Sequence, residues 1–94
     1  RDVGDYLAGQ LRNLATAQAL IKDVRAVGMA IGVQVPDASS ATTIVEAMRA
    51  EGILIGTTGR HGDTLKIRPP LVFERKHADQ LVTTLDSVMG TVDQ

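Results

Sequence analysis

The stretch from Thr57 to Phe73, T-T-G-R-H-G-D-T-L-K-I-R-P-P-L-V-F, constrains the fold of this chain more than any other. Its first part places two glycines and an aspartate around His61. This is the composition of a tight turn, because glycine adopts positive φ and aspartate bonds to nearby backbone. The residues from Thr64 to Arg68 alternate between apolar and polar side chains, which predicts a short strand. Pro69 and Pro70 have no N–H to donate to a sheet, so we expect the strand to end before them.

Two cations lie on one side of this predicted strand. Alternation places Lys66 and Arg68 on one face and Leu65 and Ile67 on the other. Neighbouring cations beside a rigid proline stop suit an anionic ligand. They also suit an exposed edge strand whose charges oppose aggregation, and the residues alone favour this second interpretation. An anion site on this strand is therefore a hypothesis that needs support from other parts of the chain.

The composition limits the class of protein. A chain of 94 residues allows one domain, so we predict that residues 1–94 form a single domain with a small core. With 10 Lys and Arg against 11 Asp and Glu, the net charge of −1 gives no reason to expect a nucleic acid or an anionic membrane as partner. The absence of cysteine agrees with a reducing cytoplasm. No apolar run approaches the length that crosses a membrane. We therefore expect a cytoplasmic protein that binds neither a nucleic acid nor a membrane.

Three segments have the periodicity of amphipathic helices. Apolar residues recur at spacings of three and four over residues 3–21, 41–48 and 78–89. Gly52 follows the second segment, where a glycine with positive φ commonly ends a helix. Gly90 occupies the equivalent place after the third segment, so we expect that helix to end there.

The remaining regular segments are predicted strands. Residues from Val24 to Val35 alternate with a period of two, which indicates one strand, and the apolar run from Ile53 to Thr57 indicates a second. With the strand before the prolines, the order is α-β-α-β-β-α. The fold class is therefore α+β, with a small, mainly antiparallel three-stranded sheet and helices packed on one face. Gly28, Ala30 and Gly32 leave one face of the first strand nearly flat, with room for close backbone packing or for a ligand.

The sequence contains no complete set of catalytic residues. His61 and His77 are far apart, and neither has the neighbours of a metal site. The aspartates show no pairing typical of an acid–base couple. The phosphate-binding loop, the dinucleotide fingerprint, the nucleophile elbow and the zinc-protease motif are all absent from the sequence. We therefore predict no catalytic, cofactor-binding or metal-binding residue in these 94 residues.

Four segments resemble class III aminotransferases, which are pyridoxal-phosphate enzymes of fold type I, and they follow in the same order as in that family. They are V-R-A-V-G-M-A-I-G-V-Q-V (Val24–Val35), E-G-I-L-I-G-T-T-G (Glu51–Gly59), D-T-L-K-I-R-P-P-L-V-F (Asp63–Phe73) and H-A-D-Q-L-V-T-T-L-D (His77–Asp86). The sequence departs from the usual pattern at a few places: Ala26 replaces a glycine, Gln34 a glutamate, and Asp63-Thr64 an Asn-Val pair. These departures leave the implied fold unchanged.

The resemblance implies that the chain is the C-terminal small domain of a longer enzyme. A large domain of the same parent chain would bind pyridoxal phosphate and supply both the lysine that holds it and the aspartate for its pyridine nitrogen. Lys22, Lys66 and Lys76 match none of the contexts of that lysine. The parent would be a homodimer that transfers an amino group from an amine or amino acid to a keto acid or aldehyde. The isolated chain would be inactive and bind no cofactor.

The resemblance also assigns a substrate contact to the strand before the prolines. Three residues before the first proline, the family's amino-acid transaminases often have an arginine that holds the substrate carboxylate. This position is Lys66, with Arg68 as second candidate, and lysine offers a point charge instead of a planar fork. Relatives with K-I-x-P-P include phospho-lyases that act on amino-alcohol phosphates, so a phospho-lyase is one alternative. A free-standing ferredoxin-like regulatory or binding domain is another, because β-α-β-β-α is most of that fold.

Overall fold

The computed structural model describes residues 2–70 and 72–92, except for the side chains of Asp2 and Val27. Leu71, in the proline segment, therefore lies outside the described residues. The four strands form one antiparallel sheet in the order β1-β2-β4-β3, and the helices pack against it. The predicted α+β class is thus confirmed. The elements are α1 (Asp2–Ala15), β1 (Asp23–Val27), β2 (Ala30–Gln34), α2 (Ala38–Ala50), β3 (Gly56–Thr58), β4 (Thr64–Ile67) and α3 (Arg75–Val92).

The predicted number of three strands is wrong, because the segment from Val24 to Val35 is a hairpin and not one strand. β1 and β2 are joined by Gly28 and Met29, and Gly28 has a φ of +60° while Met29 has no positive φ. Glycine with positive φ in the first position is typical of a two-residue type II′ turn. The turn also exposes Met29, which is 64% accessible, because it lies between the two strands and not within one.

The hairpin changes which residues face the helices. Val24 pairs with Val33, and Val33 pairs with Leu65, so these three side chains form one row across β1, β2 and β4. Ile31 and Ile67 pair in the neighbouring row. All five are buried, and the helices cover them with a second layer of apolar side chains. The largest fully buried residues of that layer are Leu7, Leu11, Ile44, Met48, Leu85 and Met89.

The end of α2 explains why the next strand begins later than predicted. The Gly52 N–H donates to the Arg49 carbonyl and the Ile53 N–H donates to the Met48 carbonyl, both at 2.9 Å. With a φ of +85° at Gly52, this is a Schellman motif, and it confirms Gly52 as the residue that ends the helix. Because the Ile53 amide serves the helix end, the strand starts only at Gly56. The predicted strand over residues 53–57 is therefore wrong in its position.

Two helix ends also differ from the prediction. Helix α1 ends at Ala15 and does not continue to residue 21. The Thr16 hydroxyl donates to the Asn13 carbonyl at 2.7 Å, which satisfies one carbonyl at the helix end. Helix α3 runs through Gly90 to Val92, so the predicted stop at Gly90 is wrong. Among the described residues, no helix is long and apolar enough to cross a membrane.

Candidate functional site

The candidate site is the face of the sheet opposite the buried rows, which we call the open face. Its central row crosses all four strands through Arg25, Gly32, Lys66 and Gly56. Arg25, Lys66 and Gly56 are exposed and Gly32 is half-buried. On β4, Leu65 and Ile67 are buried while Lys66 between them is exposed, as the alternation predicted. The open face therefore carries charged side chains and exposed backbone, whereas the opposite face carries the apolar side chains of the core.

Lys66 stands between two glycines. Gly32 and Gly56 pair with it on either side and have no side chains, so its own row contains no side chain directly next to it. Within residues 2–70 and 72–92, the ammonium group of Lys66 forms no ion pair or hydrogen bond. An unpaired cation with glycine backbone on both sides is able to bind an anionic group that approaches from solvent.

Arg25 belongs to the same row, and the sequence did not indicate this. Its Nε lies 3.0 Å from Asp23 Oδ2, and both side chains are about half or more exposed, so the pair is weakly held. When residues 24–35 are predicted as one continuous strand, Arg25 has no predicted partner on a neighbouring strand. The signal that could have placed it is Gly28, because glycine at the start of a two-residue turn predicts a hairpin and hence the pairing of Arg25 with Gly32.

Arg68 lies in different surroundings from Lys66. Strand β4 ends at Ile67, and Arg68 is exposed just before Pro69. It lines a cavity together with residues 52–55 and the first turns of α3. Like Lys66, it forms no ion pair within the part of the chain that the structure describes. Arg68 therefore lines a cavity that Lys66 does not line, and the paired glycines accompany Lys66.

The loop of residues 59–63 closes one end of the open face. Asp63 anchors it, because Gln34 Nε2 donates to Asp63 Oδ2 at 3.3 Å and the Val35 N–H donates to the Asp63 carbonyl at 2.9 Å. Gly59 has a φ of +94°, and a Cβ placed there would lie 3.0 Å from Thr64 Oγ1. This close approach buries Thr64, although it points to the same face as exposed Lys66. The loop thus packs against Thr64, which lies two residues before Lys66 on the same face of β4.

The two histidines lie in a surface loop and at a helix start. His61 is exposed in the loop. His77 Nδ1 accepts a hydrogen bond from the Glu74 N–H at 2.9 Å, which satisfies a backbone donor at the start of α3 in the manner of a capping box. Among the described residues, no group of three or more histidine, aspartate or glutamate side chains is arranged to hold a metal ion.

The described residues do not by themselves fit pyridoxal phosphate. The cofactor requires a lysine directed into an enclosed site, and Lys22, Lys66 and Lys76 are all exposed. Neither of the two cavities that flank the proline segment is lined by a lysine.

Three known proteins show the extent of the similarity. The acetylornithine aminotransferase of Methanocaldococcus jannaschii is 37% identical over 95% of this chain and 21% of its own length. The ethanolamine-phosphate phospho-lyase homolog 1 of Caenorhabditis elegans is 34% identical over 100% of this chain and 22% of its own. The solved structure of a phospholyase from Arthrobacter in complex with phosphoethanolamine superposes with a TM-score of 0.89 at 33% identity, over 96% of this chain and 23% of that one.

These matches define both the family and how much of it is present. The chain spans about a fifth of the length of the curated relatives that it matches. Class III aminotransferases use pyridoxal phosphate, in agreement with the cofactor that the resemblance implies. The family model described as aminotransferase class-III matches residues 1–89, and the chain therefore belongs to the class III aminotransferase family.

Proposed function

We propose that residues 1–94 are the C-terminal small domain of a longer pyridoxal-phosphate-dependent aminotransferase, and that Lys66 contacts the anionic group of its substrate. The observation that carries this proposal is the position of Lys66 on the open face, exposed and flanked by Gly32 and Gly56. A solvated edge-strand lysine needs no such arrangement, and β4 is an inner strand of the sheet. Arg68 is the second candidate for the substrate contact.

A phospho-lyase of the same family is the second candidate function. Lysine supplies a point charge, which suits a phosphate as well as a carboxylate. The phospholyase from Arthrobacter, solved with phosphoethanolamine, supports this candidate through its similarity over 96% of the chain. In both candidates the small-molecule substrate carries an amino group and an anionic group.

The observed order of helices and strands does not support the free-standing ferredoxin-like domain. That alternative required the order β-α-β-β-α, and the observed order is α-β-β-α-β-β-α because residues 24–35 form two strands. The observed sheet is antiparallel throughout the described residues, with the order β1-β2-β4-β3. We therefore retain the two enzyme candidates.

The partners follow from the same proposal. The parent chain would supply the large domain that binds pyridoxal phosphate, and two copies of the parent would form a homodimer. We place the parent in the cytoplasm, because a chain without cysteine suits a reducing compartment. The isolated 94-residue chain would then lack the cofactor and the activity.

The test uses the full-length parent, expressed from the gene that encodes this chain and loaded with pyridoxal phosphate. Amino acids with a keto-acid acceptor, and separately phosphoethanolamine, are supplied as substrates. A new amino acid formed from the keto acid supports the aminotransferase. Release of inorganic phosphate, ammonia and an aldehyde supports the phospho-lyase. A parent that catalyses neither reaction, or a gene that encodes no further domain, contradicts the proposal.

A further inference from the structure

Arg25 is a second cation on the open face. It lies in the same cross-strand row as Lys66, and Gly32 stands between the two in that row. Residues that pair directly across a sheet project to the same face, so both side chains leave the sheet on the open face. Two inter-strand spacings place their Cα atoms roughly 10 Å apart. Because Gly32 has no side chain, an anionic group above it has a cation on either side.

The Arg25 side chain has one partner and further donors to offer. Its Nε lies 3.0 Å from Asp23 Oδ2, and the Asp23 Oδ1 accepts a hydrogen bond from the Val24 N–H at 3.0 Å. Within the part of the chain that the structure describes, the terminal nitrogens of Arg25 form no hydrogen bond. A guanidinium group has five N–H donors, and an exposed ion pair contributes little to stability. Arg25 is therefore able to bind a substrate anion beside or in place of Asp23.

A phosphate monoester fits two such cations better than a carboxylate does. At pH 7 it carries a charge of about −1.5 to −2 and three strongly accepting oxygens. A carboxylate carries a single negative charge, which the ammonium group of Lys66 alone can neutralise. Two cations from separate strands can each bind a different oxygen of one phosphate group, and each then offsets part of its charge.

We infer that Arg25 and Lys66 together hold the phosphate group of a phosphorylated amine substrate, and that Arg25 selects this substrate over one that carries a carboxylate. The inference rests on the proposed function, because it takes from there the contact between Lys66 and the anionic group of the substrate. It deepens that proposal by adding a specificity-determining residue on β1 and by naming the substrate class.

The test measures anion binding by calorimetry in the full-length parent loaded with pyridoxal phosphate. The probes are methyl phosphate and acetate, which have no amino group and therefore do not react. The titrations are run at about pH 8, where a phosphate monoester is fully ionised. We expect Arg25→Ala to weaken the binding of methyl phosphate by at least about tenfold and that of acetate by less than about threefold, because only the phosphate engages both cations.

Arg49→Ala is the matched control. Arg49 lies on α2 in an exposed ion pair, 3.7 Å from Glu46, and its side chain is 62% exposed against 66% for Arg25. Both variants remove one positive charge from the surface, so a general effect of charge would weaken binding in both. Arg25→Lys keeps the charge and should retain most of the affinity for methyl phosphate. If Arg25→Ala melts below the wild type, Arg25→Gln takes its place.

The outcomes separate this inference from the proposed function. A selective loss of methyl phosphate binding in Arg25→Ala, with Arg49→Ala unchanged, supports the inference. Equal losses for methyl phosphate and acetate, or no loss for either, would overturn it. So would a wild-type parent that does not bind methyl phosphate. Because the probes do not react, a parent that is inactive but binds methyl phosphate through Arg25 contradicts the proposed function and leaves this anion site standing.

Discussion

Gly59 is the residue on which the packing of the 59–63 loop against Thr64 depends. Its φ of +94° opposes any side chain, and so does the distance of only 3.0 Å that would separate an added Cβ from Thr64 Oγ1. We expect Gly59→Ala to lower the free energy of unfolding by about 1–3 kcal/mol, since backbone strain and steric overlap act together. Gly56→Ala is the control, because Gly56 has no positive φ and open space at its Cβ position. Urea unfolding of the two variants measures the difference, and equal stability would contradict this account of the loop.

Asp37 supplies the prediction about pH. Its Oδ1 accepts a hydrogen bond from the Ser40 N–H at 2.8 Å, which caps α2 and holds the pKa of Asp37 below its ordinary value of 3.8. Because the folded-state pKa is depressed, the capping contribution is present above the unfolded-state pKa and is lost as the pH falls through the folded-state value. We expect Asp37→Ala to lower the melting temperature at neutral pH and to differ less from the wild type in acid.

Asp37→Asn is the control for this prediction. The asparagine side chain keeps an oxygen acceptor for the Ser40 N–H and does not titrate. Thermal unfolding followed by circular dichroism over the acid range compares the three proteins. A deficit of Asp37→Ala that stays constant into strong acid would show that the carboxylate charge contributes nothing at this cap.

At the scale of the secondary-structure elements, the predictions were most accurate where one segment contained both a periodic pattern and the residues that end a strand or helix. The strand from Thr64 has alternating residues and two prolines behind it, and the structure ends β4 at Ile67. The Val24–Val35 segment is followed by Pro36, but its internal turn is marked only by Gly28, and a continuous alternation concealed this signal. A two-residue turn shifts the inward positions from even to odd numbers, so Val24 before it and Ile31 after it both face the helices.

The third helix provides a test of one corrected boundary. Gly90 lies inside α3 without positive φ, and a Cβ placed there would meet nothing within 4 Å. We expect Gly90→Ala to stabilise the chain by about 0.5–1 kcal/mol, because alanine loses less backbone entropy than glycine in a helix. If Gly90 instead ended the helix with positive φ, alanine would destabilise it. Chemical unfolding of this variant decides between the two.

At the scale of the whole molecule, the resemblance of four ordered segments predicted the family, and the family model confirmed it over residues 1–89. The residues alone could not place Arg25 in the same row as Lys66, because that arrangement depends on the hairpin and on the order β1-β2-β4-β3. The assignment of Lys66 to the substrate stays a prediction.

The isolated chain allows a test of which domain of the parent holds pyridoxal phosphate. We expect the 94-residue chain, incubated with pyridoxal phosphate, to form no specific borohydride-trappable bond to a lysine, because Lys22, Lys66 and Lys76 are all exposed. Absorption spectroscopy followed by peptide mass analysis measures this. Stoichiometric trapping at one of the three lysines would mean that this chain holds the cofactor itself.

Steady-state kinetics of Lys66 variants in the full-length parent test whether this lysine contacts the substrate. A charge-assisted contact contributes about 1.5–3 kcal/mol, so Lys66→Ala should lower kcat/KM by about ten- to a hundredfold. Lys66→Arg should retain more of kcat/KM than Lys66→Ala, because a guanidinium group also binds a carboxylate or a phosphate. Lys76→Ala is the control, because Lys76 is exposed on α3 and lies 3.7 Å from Glu74. We predict normal kinetics for Lys76→Ala and impaired kinetics for Lys66→Ala. Unchanged kcat/KM in both Lys66 variants would remove this lysine, and with it the open face, from the substrate site.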